Sequence, residues 1–94
     1  MNLEKIISQK ENFAAREVNG ELILVPVKNT VADMNEMFTL NEVGNFIWQQ
    51  LKTGVDIGDI TSNISEEFEV EKEVAKQDLI EFLEALENFI VKAC

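Results

Sequence analysis

The chain has no histidine and no tyrosine, and only one cysteine and one proline. Without histidine it lacks the commonest general base and the commonest metal ligand of proteins, and neither a Ser-His-Asp nor a Cys-His arrangement is possible. The single cysteine, Cys94, cannot form an internal disulfide, which suits a reducing cytoplasm. The composition therefore argues against an enzyme of these classes and against a zinc or iron–sulfur site.

Glycine and long apolar runs are also scarce. The four glycines stand singly along the chain, so no glycine-rich phosphate loop is present. No run approaches the roughly 18 apolar residues that a membrane span needs. The first residues lack a basic segment followed by an apolar one, so we expect no secretory signal. These absences predict a cytoplasmic, non-catalytic protein without a cofactor or metal.

Positive charge is scarce as well. Eight Lys and Arg residues face 18 Asp and Glu residues, which gives a net charge of -10. Such a chain is repelled by phosphate backbones and by anionic lipid. The last predicted helix bears acidic residues where a DNA-recognition helix needs Arg, Lys, Asn or Gln. We therefore expect no nucleic-acid or membrane partner, and basic peptides or proteins become the favoured partners.

The first half of the chain reads as a small antiparallel sheet. An Asn19-Gly20 pair separates two strand-like segments, residues 13–18 and 21–27, and Asn-Gly is a strong hairpin signal. Pro26 cannot donate to a strand ladder, so it marks an edge or an ending. A polar loop over residues 28–36 leads to a short third strand at residues 37–40. Residues 1–12 are compatible with a short helix, an added strand or a frayed arm.

Three amphipathic helices are predicted after the strands. Asn41 or Thr39 is placed to cap the first, which runs to about Thr53 with Gly54 as its stop. Gly44 lies inside this helix, where it costs about 1 kcal/mol relative to alanine, so we expect a close neighbour there.

Asp56 is predicted to cap the second helix, and the third runs from about Glu71 to Asn88. The third helix is the longest and most regular of the three. Apolar residues recur along it at helical spacing, which predicts a face buried against the rest of the domain. Its main apolar stripe is expected at Ala75, Leu79, Phe82, Leu86 and Phe89. A second flank is expected at Val74, Ile80, Leu83 and Ile90.

A set of short motifs follows a fixed order along the chain. The motifs are Arg16-Glu17-Val18, Gly20-Glu21, Leu24-Val25, Leu40-Asn41-Glu42-Val43-Gly44, Ile47-Trp48, Leu51, Asp59-Ile60, Phe68-Glu69-Val70, Asp78-Leu79, Phe82-Leu83 and Leu86. This set covers about residues 13–91 and resembles the PqqD family, the coenzyme PQQ synthesis protein D-like proteins, which are also called RiPP precursor-peptide recognition elements. The family's usual glycine near the end of the last helix is replaced here by Asn88-Phe89.

The resemblance implies a fold and a function. The fold would be α+β and winged-helix-like, with a three-stranded antiparallel sheet followed by a three-helix bundle. This agrees with the independent reading, in which residues 1–12 form an N-terminal arm and residues 13–94 the domain. Members bind the leader of a ribosomally made precursor peptide by β-augmentation and present it to a modifying enzyme, often a radical SAM protein.

The resemblance also implies a groove between the third strand and the last helix. Ile80 and Leu83 fit ordinary core packing equally well, and the acidic members fit a solvated face. The alternative function is a structural or regulatory interaction module, as a monomer or a homodimer, without a role in peptide maturation. The predicted peptide-binding residues are Met37, Phe38, Thr39, Asp78, Ile80, Leu83, Glu84 and Glu87.

Overall fold

A computed structural model describes residues 3–19, 21–27 and 37–93. Of Lys92 and Ala93 it describes the backbone alone. Gly20, the predicted loop at residues 28–36 and Cys94 lie outside the described residues. Within the described ranges, none of the helices combines the length and the hydropathy that a bilayer crossing requires.

Three strands form one antiparallel sheet in the order β1-β2-β3. Their bounds are Phe13–Val18 for β1, Glu21–Pro26 for β2 and Phe38–Leu40 for β3. The predicted hairpin is confirmed, and Asn19 has the positive φ of 54° that a tight turn between β1 and β2 needs. The proline is the last residue of β2, which confirms the ending that its missing N–H predicts.

Three helices follow the sheet, as predicted, and a fourth precedes it. The helices are α1 (Leu3–Gln9), α2 (Glu42–Gln50), α3 (Ile57–Phe68) and α4 (Lys72–Ala93).

The sequence misplaced the ends of two of these helices. The first predicted helix, α2, ends at Gln50 and not near Thr53, because Leu51 is already extended with φ -74° and ψ 99°. The last, α4, continues past Asn88 to Ala93. The Asn88-Phe89 pair that replaces the family's glycine is therefore part of the helix.

The core lies where α4 crosses the sheet and the other helices. The prediction of its main stripe was wrong by a small rotation of the helix: Leu83 and Ile90 are buried, whereas Phe82 and Phe89 are only partly buried. One helix face can meet the centre of the domain, and the leucine-rich face does so. The buried stripe of α4 consists of Ala75, Leu79, Leu83, Leu86 and Ile90.

The N-terminal segment is a short helix that packs on the domain. Ile6 of α1 is 2% exposed, and a 3-10 turn at Lys10–Asn12 leads from α1 into β1. The Lys10 ammonium donates to the carbonyls of Trp48 and Leu51 at 2.9 and 2.8 Å, so it satisfies the free C-terminal end of α2. It also lies 4.8 Å from the centroid of the Trp48 ring. Burial, with a smaller effect from Lys52, lowers the pKa of Lys10.

Candidate functional site

The strand β3 has one unpaired edge. It pairs with β2 on one side, and none of the strands in the described part of the chain lies on its other side. An open strand edge presents backbone N–H and C=O groups that can pair with another chain. The question is which residues of β3 direct those groups outward.

The hydrogen-bond alternation of the sheet answers this question. Val27 N–H donates to the Asn12 carbonyl at 2.8 Å, which extends the β1–β2 register and fixes residues 23, 25 and 27 as the ones bonded to β1. Antiparallel strands alternate, so Leu22 and Leu24 direct their backbone groups to β3. They pair with Leu40 and Phe38.

Thr39 is therefore the residue of β3 that faces outward. It stands opposite Ile23, a residue whose own groups point to β1, so the N–H and C=O of Thr39 point away from the sheet. Met37 directly precedes β3 and would face the same way if the strand alternation extended to it. Both side chains are exposed, Met37 at 45%. A peptide strand added here would pair with these two residues.

Aromatic rings join β3 to α4. The Phe38 ring centroid lies 6.0 Å from that of Phe82 and 5.2 Å from that of Phe89, and both pairs are tilted. Phe89 also contacts Phe13 of β1, with centroids 5.3 Å apart. Such pairs each add roughly 0.5–1.5 kcal/mol beyond their area burial. The rings fix the distance between the strand edge and the helix, so one wall of the groove is set by packing.

Gly44 admits one of these rings. A Cβ atom at Gly44 would lie 2.9 Å from Cε1 of Phe82, closer than side-chain carbons approach one another. The close neighbour that the sequence predicted at this glycine is therefore Phe82 of α4. Asn41, and not Thr39, caps α2, because its side chain accepts from the Gly44 N–H at 2.7 Å.

A cavity of about 340 Å³ opens at the Leu40 end of β3, between the first turn of α2 and α4. Asp78 and Glu81 give it two exposed carboxylates, and none of its lining residues is positively charged. Apolar atoms of Val43 and Phe82 form the rest of its surface together with small backbone segments. The lining residues are Asn41, Val43, Gly44, Asp78, Glu81 and Phe82.

Three of the predicted site residues lie at the open edge. Phe38 and Thr39 belong to β3, and Met37 directly precedes it. Phe38 is half-buried because its ring turns towards α4. Asp78 lines the cavity between α2 and α4, together with Phe82, whose ring contacts that of Phe38.

The other four predicted residues lie elsewhere on α4. Leu83 is 0% exposed and belongs to the core, so it has no surface to offer a ligand. At about 100° per residue, Ile80 and Glu84 each lie roughly 160° around the helix from Phe82, and Glu87 roughly 140°. Ile80, Glu84 and Glu87 therefore lie on a different flank of α4 from Phe82. Their assignment to a peptide-binding wall stays a prediction.

Sequence reasoning missed three residues that form this groove. Phe82 and Phe89 were assigned to the core stripe, and Glu81 was not singled out. A signal was present, because α4 has adjacent apolar pairs at 82–83 and 89–90. Two residues one position apart cannot both face the core centre, and the aromatic member of each pair faces the sheet.

A second and larger cleft, of about 560 Å³, lies between α1 and the segment that follows α2. Leu3, Ile7 and Val55 provide its apolar surface. None of the described residues that line it belongs to a strand, so it offers no open strand edge with which an extended ligand could pair. We therefore assign the candidate site to β3 despite the smaller volume there.

Comparisons with known proteins found one matching family model and one similar solved structure. A family model described as coenzyme PQQ synthesis protein D (PqqD) matches residues 21–88. Among solved structures, the chain is similar to one titled TbiB1 in complex with the TbiA(beta) leader peptide, with a TM-score of 0.66 and 26% identity over 84% of this chain and 86% of that chain. No curated protein matches the chain significantly. The matched residues include β3, α2 and all the α4 residues that line the cavity.

Proposed function

Because the chain belongs to the PqqD family, we propose that it binds the leader of a ribosomally made precursor peptide along the open edge of β3. The leader would add as a further strand, with backbone hydrogen bonds to Thr39 and Met37 supplying affinity. Its side chains on one face would lie against α4. The protein would then present the bound peptide to a modifying enzyme, of which a radical SAM protein is the first candidate.

One observation supports this proposal most directly: the outward backbone groups of Thr39 lie next to Phe38, whose ring packs on Phe82 of α4. The register directs them away from β2, and the rings of Phe38 and Phe82 hold α4 next to them. The similar solved structure is of a complex with a leader peptide, which adds independent support. Backbone pairing alone is unspecific, so the wall is what makes this edge a candidate for a chosen peptide.

We assign the protein a binding role and leave the chemistry to its partner. The chain has no histidine, and among the described residues no group of three or more acidic or cysteine side chains is placed to hold a metal. Lys10, whose pKa is lowered, lies at the far end of α2 and already donates to two carbonyls. Lys10 therefore lies away from the groove.

The test is a calorimetric titration with synthetic leaders of the short open reading frames that neighbour this gene. We expect wild-type protein to bind one of them with a dissociation constant in the micromolar range. Thr39→Pro removes the outward N–H without touching the ladder to β2, so we expect binding to weaken at least tenfold. Thr39→Val keeps the backbone and serves as the matched control, with affinity within about twofold of wild type.

Two results would overturn the proposal. The first is the lack of any leader binding tighter than about 1 mM, which corresponds to about -4 kcal/mol. The second is equal binding by the proline and valine variants. A mass that doubles with concentration in light scattering, together with no leader binding, would support the alternative of a dimeric interaction module.

A further inference from the structure

We infer that the groove selects leaders in which a basic residue and an apolar residue are separated by a single position. The inference rests on the proposed binding mode at β3 and adds the chemistry of the peptide. It follows from three features of the described residues: the outward register of Thr39, the aromatic rings at one end of β3 and the acidic cavity at the other.

The register decides which peptide side chains meet α4. A residue paired with Thr39 projects its side chain to the same face as Thr39, which is the exposed face of the sheet. The residues before and after it project to the opposite face. That face is shared by Phe38 and Leu40, whose side chains are turned to the helices. The two positions that flank the Thr39 partner are therefore the ones read by α4.

The flanking position opposite Phe38 meets an apolar surface. The rings of Phe82 and Phe89 lie on either side of Phe38, at 6.0 and 5.2 Å between centroids. On the next flank of α4 the exposed residue is Ala85, whose small side chain leaves room for a neighbour. An apolar or aromatic peptide side chain removes this surface from water, which contributes about 25 cal/mol per Å² buried.

The flanking position opposite Leu40 meets the acidic cavity. A lysine or arginine can lay its methylene stem on Val43 and Phe82 while its charge reaches Asp78 and Glu81. No cation lines the cavity itself, and Lys76 lines a neighbouring pocket of α4 together with Glu81. The net charge of -10 repels an acidic peptide and attracts a basic one at long range. Charge complementarity thus favours a basic residue at this position.

The order of the two residues reports the direction of the bound strand. If the leader runs antiparallel to β3, the residue opposite Leu40 comes first, and the pattern is basic-x-apolar. If it runs parallel, the pattern is apolar-x-basic. Either order keeps the one-residue spacing, because side chains on one face of a strand recur at every second position.

The inference is tested with a random 12-residue peptide library, selected for binding to the full chain. We expect Lys or Arg to be enriched two positions from an apolar residue. The double variant Asp78→Asn, Glu81→Gln keeps the shape of the cavity and removes its charge. We expect it to lose the basic enrichment, to keep the apolar one, and to bind a selected peptide about 3- to 10-fold more weakly at low salt.

The matched control is Glu66→Gln with Glu84→Gln, which removes the same charge from α3 and from the far flank of α4. We expect its selection to equal that of wild type. Selected peptides that depend on Thr39 but show no basic enrichment would overturn this inference and leave the proposed function intact. Equal loss in both charge variants would also overturn it, because long-range attraction would then suffice. Selected peptides that bind the Thr39→Pro variant as well as wild type would contradict the proposed function itself.

Discussion

The two edges of the sheet differ in what stands beside them. β1 carries Arg16 and Glu17 on an exposed hairpin, and charged side chains are a common protection of edge strands against unwanted pairing. β3 has no charged residue, and its flank is walled by Phe82 of α4. Both edges offer outward backbone groups. Among the described residues, α4 contacts β1 through Phe89 and Phe13, whereas beside β3 it presents Phe82 and the acidic cavity, which we propose would contact side chains of an added strand.

This difference explains how β3 can keep one edge unpaired and still not pair with every strand that it meets. β3 is three residues long, so it presents few free groups to a random partner. Under the proposed binding mode, the helix beside it would make pairing depend on the side chains of the added strand. Whether an edge is free to pair and which peptide it pairs with are therefore separate properties. Each can be altered by a different substitution.

The largest effect on stability should come from placing proline at a position of β3 whose N–H points to β2, compared with one whose N–H points outward. Leu40→Pro removes an N–H that the register directs to β2, and we expect it to lower the free energy of unfolding by about 3 kcal/mol more than Leu40→Ala does. Thr39→Pro, measured against Thr39→Ala, should cost less than about 1 kcal/mol because its N–H faces solvent. Urea unfolding measures both differences. Equal costs at the two positions would contradict the assigned register.

A smaller effect is expected where α2 meets the wall of the groove. We expect Gly44→Ala to lower the free energy of unfolding by about 1 kcal/mol, because its Cβ would displace the Phe82 ring. In a Phe82→Ala background the same change should instead stabilise by about 0.5–1 kcal/mol, since alanine favours the helix.

The four proteins of this double-mutant cycle should therefore show a coupling of roughly 1.5–2 kcal/mol in urea unfolding. A Gly44→Ala effect of the same sign and size in both backgrounds would show that the ring is not what requires glycine.

The smallest effect is expected at the opposite edge. Glu17 pairs with Leu22, a residue whose groups point to β3, so Glu17 faces outward from β1 as Thr39 does from β3. Glu17→Pro should leave leader affinity within about twofold of wild type in calorimetry. A loss comparable to that of Thr39→Pro would place the peptide at the wrong edge and remove the distinction between the two.

The order of the elements could be predicted from the sequence because the local signals agree with the fold. Asn19 in the hairpin turn, Asn41 at the helix cap and the period of α3 each specify structure within a few residues. The helix α1 could not be predicted, because seven residues with one buried side chain, Ile6, contain too little periodicity. Its place depends on contacts with distant parts of the chain, such as that of Lys10 with Trp48.

The predicted site residues on the strand and on the helix differ in how far the sequence could place them in the fold. The third strand was predicted from its short apolar sequence, and the family resemblance assigned Met37 to Thr39 to the edge of the groove. The face of α4 that contacts the sheet could not be chosen from the sequence, because Phe82 and Leu83 are both apolar and either can satisfy a helical period. Which one faces the core depends on how α4 crosses the sheet, and that is decided by packing between elements far apart in sequence.

The position of Trp48 has a spectroscopic consequence. It is the only tryptophan in a chain without tyrosine, and it is 7% exposed beneath the Lys10 ammonium. Asn41, at the groove, lies about 10 Å away along α2 at 1.5 Å per residue. Intrinsic emission therefore comes from one indole in the interior of the domain, and it will shift to longer wavelength when the domain unfolds. Trp48 is therefore an intrinsic fluorescence probe of folding that lies apart from the surface on which a peptide would bind.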